Sequence, residues 1–359
     1  MIGSGGQERS DVGNGPALDE LGYYLLAGAG GDGPATLMEE ARRGEELGFG
    51  TGFISERFNV KEASSLVGAA CAVTSRMQIA TAATNHNTRH PLITGSWATT
   101  MHRLSGGRFT LGIGRGIGAI YSAFGIPAVT TAQMEDFAHV MRRLWQGEII
   151  FNQGGPIGKY QILFLDPDFR EDIRLALVAF GPNTLRLGGR AFDDVILHTY
   201  FTPETLQRCV KTVKDAAEQA GRDPDSVRVW SCFATVGDHL PEELRLKKTV
   251  ARLATYLQGY GDLLVKTNDW DPAVLERFRA DSVVQSFGGG IDHKGTAEQI
   301  EHIATLLPDE WLEPSATGTA QQCVDRIRKE FDYGADALIM HGATPDELEP
   351  VVAAYRATA

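Results

Sequence analysis

Between Leu21 and Tyr355 the chain alternates eight times between a short apolar run and an amphipathic helical pattern, an order that few folds accommodate. The runs are Leu21–Ala27, Gly52–Ser55, Met77–Thr84, Arg108–Ile113, Ile173–Phe180, Asp194–Leu197, Val227–Val236 and Ala335–Met340. Parallel strands need a crossover of a dozen or so residues, and a helix-length segment stands between each pair. Ile173–Phe180 is almost continuously apolar, as a strand covered on both faces should be. The expectation is therefore an α/β chain folded as a (β/α)8 TIM barrel with insertions, its strand ends opening on one mouth. Two segments exceed what a crossover needs: Glu148–Leu165 reads as an inserted hairpin, and Leu240–Leu312 as a charged helical insertion.

One stretch shows the unit in full. A helix opened by Pro91 stops at Gly106-Gly107, the buried strand Arg108–Ile113 follows, and the strand empties into Gly114-Arg115-Gly116. The first glycine pair reads as a helix cap. The second lets backbone approach a ligand closely at the end of the strands where parallel α/β folds bind.

Residues 1–18 are glycine-rich with few large apolar side chains and read as a disordered tail, leaving 19–359 as one domain with its helical insertion at about 240–312. A net charge of −12 argues against a nucleic-acid surface and against anionic membranes. No apolar run approaches the roughly 18 residues of a membrane span, so a soluble, cytoplasmic protein is expected. Cys71, Cys209, Cys232 and Cys323 are far apart and without metal-type spacing, which predicts packing roles in a reducing compartment.

A barrel brings Gly28, Glu56-Arg57, Thr84-Asn85, Gly114-Arg115, Phe180-Gly181, His198, Thr235 and His341 to the mouth. This set has no second carboxylate for a glycosidase pair, no serine nucleophile motif and no cluster at metal spacing. It suits a flat ligand that brings its own chemistry. Gly181-Pro182-Asn183 sets a glycine at a strand end before a helix start, where Gly181, Asn183 and Thr184 offer N–H donors to a phosphate and Pro182 does not. His198 and His341 are the acid/base candidates near neutral pH. Tyr23, Tyr24 and Phe180 serve equally as ring walls or as core, and His90 as a helix-start residue.

The stretches F-I-S-E-R-F-N (53–59), T-N-H-N-T-R-H-P (84–91), L-S-G-G-R-F-T-L-G-I-G-R-G (104–116), F-G-P-N-T-L-R-L-G-G-R-A-F-D-D-V-I-L (180–197) and the segment from Ala316 to Met340 resemble the luciferase-like monooxygenase superfamily. Within it the likeness is greatest to oxidoreductases that use coenzyme F420. The resemblance implies a bacterial luciferase-like barrel, usually a homodimer, that holds F420, or alternatively FMN, at its mouth. It puts Ala82, Ala83, Thr84 and Asn85 at cofactor-contacting positions, with a non-proline cis peptide at Ala82-Ala83, and makes Gly181-Pro182-Asn183 the phosphate turn. Gly114, Arg115, Gly116 and Phe180 complete the cofactor-binding set, and Glu56, Arg57 and His198 the catalytic set, with no metal.

The activity implied is hydride transfer between the deazaflavin and a small organic substrate. The alternatives are an FMN-dependent monooxygenase and a barrel that binds a flavin-like ligand without turnover. Two departures from relatives matter. Glu56-Arg57 stands where many have an acid–histidine pair, replacing a titratable imidazole by a permanent cation. Ile117 stands where sugar-phosphate dehydrogenases have a carboxylate.

Overall fold

The structure, a computed structural model, describes residues 17–26 and 33–358. The expected tail up to residue 16 and the exit loop with Gly28 lie outside the described residues. Strands β1 (Leu18–Tyr24), β2 (Phe49–Ile54), β3 (Gln78–Thr81) and β4 (Phe109–Ile113) are followed by a hairpin of β5 (Ile150–Gly155) and β6 (Gly158–Leu163). Then come β7 (Arg174–Val178), β8 (Asp194–Ile196), β9 (Arg228–Gly237), β10 (Ser315–Gly318) and β11 (Ala337–His341). The main sheet runs β10-β9-β11-β1-β2-β3-β4-β7-β8, and the β8–β9 pairing closes it into a parallel barrel of eight staves with β10 annexed to β9.

The crossover segments carry α1 (Leu37–Leu47), α2 (Ala63–Val73), α3 (Pro91–Ser105), α4 (Gly118–Ala123), α5 (Thr131–Trp145), α6 (Pro182–Ala191) and α7 (Pro203–Gln219). The insertion comprises α8 (Glu242–Leu246), a π-helical turn at Lys247–Ala251, α9 (Arg252–Asn268), α10 (Pro272–Ala280), α11 (Ser282–Gln285), α12 (Ile291–Lys294), α13 (Ala297–Ala304) and α14 (Asp309–Leu312). Helices α15 (Ala320–Asp332) and α16 (Pro345–Ala357) complete the ring.

Local chemistry sets these boundaries. Thr130, Thr319 and Thr344 each cap a helix with a reciprocal Gln or Glu three residues on, satisfying two otherwise orphaned N–H groups. Helix α3 starts with Pro91 and ends at Gly106, whose φ of +68° suits a residue without Cβ. His90 is its N-cap, its Nδ1 accepting from the Leu92 N–H at 3.2 Å, as its sequence position suggests.

Two elements have no clear trace in the hydrophobic pattern. Ser315–Gly318 has no apolar run to mark a strand, and its pairing comes from the far half of β9. Helix α4 forms in a glycine-bearing segment of low helical propensity. Strand β1 also begins at Leu18, three residues before the expected start, because Leu18 pairs with Phe49.

Inside the barrel, Phe53, Ala80, Ala82, Ala176, Ile196, Trp230, Ala337 and Ile339 form one buried cluster. Phe53 and Trp230 meet edge to face at 5.0 Å. Gly22 makes room for them: a Cβ there would stand 2.7 Å from the Phe53 ring. Outside the staves, one apolar layer lies under α1–α3, α5, α6, α15 and α16, and a second joins β8 and β9 to α7 and the insertion. All four cysteines are buried thiols. No helix among the described residues is long and apolar enough to cross a membrane.

Glu330 of α15 is the exception to this apolar packing, 5% exposed with its carboxyl accepting from the Ser231 hydroxyl. Burial pushes its pKa up to about 7, the serine bond offsetting part of the effect. A folded-state pKa above the unfolded value contributes stability that is complete below about 4.5 and is lost as pH rises through 7. Glu330→Gln should remove that loss, so the variant gains on the wild type by roughly 2–3 kcal/mol between pH 5 and pH 8. Urea unfolding at the two pH values measures it; identical pH slopes for both proteins would show that Glu330 ionises freely.

Candidate active site

One side of the mouth is built from small residues at the ends of β3 and β4. The Ala82–Ala83 peptide is cis, at the bond expected from the sequence. Glu56 N–H donates to Ala83 O at 3.1 Å, Thr84 N–H to Gly112 O at 3.0 Å and Gly114 N–H to Thr84 O at 2.9 Å, so the segment is held from both flanks. A Cβ on Gly114 would come within 3.0 Å of the Ala83 methyl and 3.6 Å of Val178. Ala82, Ala83, Gly114 and Val178 thus make a shallow apolar shelf. Asn85 Nδ2 donates to Gly114 O at 2.7 Å, and its Oδ1 accepts from the Tyr121 hydroxyl at 2.6 Å. Gly116, with φ +70°, is obligatory here, since a Cβ would fall 2.1 Å from the Tyr121 ring.

Glu56 and Arg57 part company. The Glu56 side chain is fully buried, pairing with Arg89 at 3.0 Å and accepting from the Thr84 hydroxyl and from Ala63 N–H at 3.0 Å. Arg89 reaches on to Glu62 at the head of α2. The acid expected to work beside Arg57 is instead committed to the wall. Arg57 lies exposed in the β2 exit turn, its backbone bridged to Lys61. Its positive charge acts, as one of several smaller effects, on Tyr256, Tyr260 and His341. Arg115 turns away: its guanidinium donates to Val129 O and to the Thr131 hydroxyl, fixing the chain between α4 and α5.

Beside the shelf, Phe180 and Gly181 follow β7, the stave paired with β4. Gly181 is the N-cap of α6 with no side-chain cap bond, and nothing lies within 4 Å of a Cβ built on it. Pro182 and Asn183 are exposed, and Arg186 donates to Asn183 Oδ1 at 2.6 Å. Orphaned N–H groups at an uncapped ten-residue helix, beside open space, fit an anionic group such as a phosphate.

His198 stands 4.9 Å from the Phe180 ring. Its Nδ1–H donates to Thr199 O at 2.9 Å, which leaves Nε2 to accept from the Tyr260 hydroxyl at 2.7 Å. Tyr256 stacks on Tyr260 at 5.5 Å, and its hydroxyl stands 3.4 Å from His341 Nε2. Tyr24 meets His341 edge-on at 5.3 Å, whereas Tyr23 faces α1, donating to Glu40 O at 2.9 Å, and is core.

The expectation that these histidines titrate near neutral pH is corrected by their surroundings. Burial lowers His198 to about 4, the Thr199 bond only partly opposing it. Burial, aided by Arg252, holds His341 well below its ordinary range. Both are neutral imidazoles at physiological pH. Among the described residues no group of three or more His, Cys, Asp or Glu side chains is placed to hold a metal. Thr235 bonds to Phe233 O at 3.1 Å and is wholly buried, a wall residue.

Four contributors escape a reading based on strand ends: Arg89, Tyr121, Tyr256 and Tyr260. The last two come from α9, more than fifty residues from His198 in the chain. Their one signal is the i, i+4 spacing, which puts both rings on one face of a helix.

The sequence profile of the luciferase-like monooxygenase family matches residues 18–357. A 5,10-methylenetetrahydromethanopterin reductase of Methanolobus tindarius is 27% identical over 310 residues, 83% of this chain and 87% of that protein. Among solved structures, the coenzyme F420 dependent tetrahydromethanopterin reductase from Methanopyrus kandleri superposes with a TM-score of 0.80 at 20% identity, covering 94% of this chain and 99% of the other. An F420-dependent secondary alcohol dehydrogenase in complex with an F420–acetone adduct gives 0.70 at 19% identity over 94% and 99%. With eight parallel staves and a match over nearly its whole described length, the chain belongs to the luciferase-like monooxygenase family.

Proposed function

We propose that this protein is an F420-dependent oxidoreductase that transfers a hydride between the deazaflavin and a small organic substrate. The observation that carries the reading is the placing, on neighbouring staves of one mouth, of an alanine–glycine shelf and an uncapped helix N-terminus opening on free space. A flat ring needs the first and a phosphate the second. The reductase and dehydrogenase activities printed for the relatives support it, and the large share of both chains that aligns makes the whole barrel comparable.

Ala82, Ala83 and Gly114 would underlie the ring, while Gly181 and Asn183 present N–H groups to the phosphate; the Thr184 N–H expected to join them donates instead to Gly181 O at 3.0 Å. Bound F420 supplies a hydride donor or acceptor at a ring carbon. The chain's own residues do the remainder. Phe180, Phe201, Tyr256 and Tyr260 surround His198 with aromatic faces and exclude water from that side. Arg57 supplies a fixed positive charge at the rim, suited to an anionic ring or transition state. Glu56 and Arg89 act as positioning residues, since they tie the start of α2 to Thr84. A homodimer in the cytoplasm is the assembly and setting we propose, on the family resemblance.

Fluorescence titration with F420 tests the reading: binding at micromolar or better with FMN much weaker is expected, and the reverse preference would overturn it. Gly181→Val should raise the F420 Kd at least 100-fold while leaving the melting temperature nearly unchanged, because the new side chain enters only the space a phosphate needs. Normal titration by a folded variant would remove Gly181 from the site. Arg57→Ala should lower kcat about tenfold and leave the F420 Kd within about threefold; an unchanged kcat would reduce Arg57 to a surface residue. Glu56→Gln should instead act on the fold, costing about 3 kcal/mol because Arg89 loses a buried partner, and calorimetry showing no loss would mean the pair is dispensable.

A further inference from the structure

The insertion brings to the mouth a hydroxyl that the barrel staves do not supply. Helix α9 leaves helical geometry at one internal residue, Tyr260 (φ −157°, ψ 35°), and it is this residue whose hydroxyl reaches His198 Nε2 at 2.7 Å. His198 cannot turn to meet another partner without giving up Thr199 O, so its Nε2 is fixed as an acceptor facing Tyr260. Phe180, Phe201 and Tyr256 pack around the pair at ring separations of 4.9 to 6.3 Å. The other titratable groups that act on it are His341 and Cys232 from the barrel, Arg252 from α9 and Arg57 from the rim. Among the described residues no carboxylate is hydrogen-bonded to either ring.

Hydride transfer at a carbon bearing oxygen must be matched by proton transfer at that oxygen. Arg57 does not release a proton, and Glu56 is bound to Arg89 in the wall. Two phenols of the enclosure meet an imidazole, Tyr260 on His198 Nε2 at 2.7 Å and Tyr256 on His341 Nε2 at 3.4 Å, and the shorter contact marks Tyr260 as the better proton relay.

We propose that Tyr260 is a catalytic residue that exchanges a proton with the substrate's oxygen, with His198 Nε2 as the next station, and that the substrate is an uncharged carbonyl compound or its alcohol. This rests on the hydride-transfer function proposed above. In the oxidative direction the substrate C–H pair leaves with its hydrogen as hydride to the oxidised deazaflavin. The O–H pair becomes the second bond of C=O, the proton goes to Tyr260 Oη, and the phenolic proton passes to His198 Nε2. The imidazolium keeps Nδ1–H on Thr199 O and then releases a proton to water. In reduction each transfer reverses, with reduced deazaflavin as hydride donor and water as proton source. The aromatic faces suit the carbon skeleton of such a compound, and the positive charges of Arg57 and Arg252 disfavour a cationic one.

The test uses the full chain loaded with F420 and a panel of short ketones, aldehydes and their alcohols, followed by the deazaflavin absorbance in single turnovers. Tyr260→Phe should keep the wild-type F420 Kd and melting temperature and lose at least 100-fold in the hydride-transfer rate. Nitrogen-15 spectra of histidine-labelled protein without cofactor should show His198 as the neutral Nδ1–H tautomer, with its Nε2 resonance moved in the variant. No F420 binding by the wild type would overturn the proposed function and this assignment with it. Binding without turnover of any compound in the panel, a variant rate within threefold of wild type, or an Nε2–H tautomer would each overturn the Tyr260 assignment alone.

Discussion

A closed parallel barrel encloses a fixed volume, and in this chain that volume is filled unevenly. Phe53 and Trp230 occupy the middle, with Gly22 set back to admit the first ring. Trp230 is anchored in turn: its indole N–H donates to Asp194 at 3.0 Å, Arg174 pairs with the same carboxylate at 2.9 Å, and Arg228 lies over the indole face. Above this plug the inward residues shrink to Ala82, Ala83 and Gly114. The depth of the mouth is therefore decided by two large side chains and its width by three small ones, and a flat ligand fits only because the bulk is at one level.

The staves were legible because their signal is local. Buried parallel strands are apolar on both faces, and each was bounded by glycine, proline or a capping threonine within a few residues. The uncapped start of α6 was legible for the same reason, since Gly181-Pro182-Asn183 names its own geometry. What could not be read was pairing at a distance. Glu56 sits next to Arg57 in sequence, yet its partner is Arg89, 33 residues on, because successive residues at a strand end face opposite ways. Arg115 likewise occupies a mouth position in the chain while its guanidinium caps a neighbouring loop. Ser315–Gly318 became a strand through the free edge of β9 rather than through its own composition.

Electrostatics at the mouth follow from this burial. Removing imidazoles from water favours their neutral form, so His198 and His341 accept or donate hydrogen bonds without carrying charge. The same burial lifts the phenol of Tyr260 well above its ordinary range, the effect of Tyr256 adding to it and that of Arg252 opposing it. The cations near these rings include Arg57, exposed at the β2 exit, and the paired Arg252, whose guanidinium meets Asp292 at 3.2 Å. A hydride acceptor or donor brought into such a place meets fixed dipoles and little water, the condition under which a single rim cation acts most strongly.

The insertion belongs to this wall and not merely above it. Val195 and Leu197 of the barrel share one apolar cluster with Val250, Leu253, Leu257, Phe278 and Trp311 of residues 240–312, so those helices are packed as continuously as a crossover helix would be. A segment held by that much buried surface does not swing open as a unit without exposing it. The two halves of the mouth accordingly have different origins. The shelf and the α6 terminus come from strand ends whose geometry any barrel of this type must keep, while the aromatic side depends on where one helix breaks. Changes in α9 can then alter the aromatic side of the mouth without disturbing the shelf or the start of α6, so that, on the proposed function, substrate and cofactor would be held by separately variable parts.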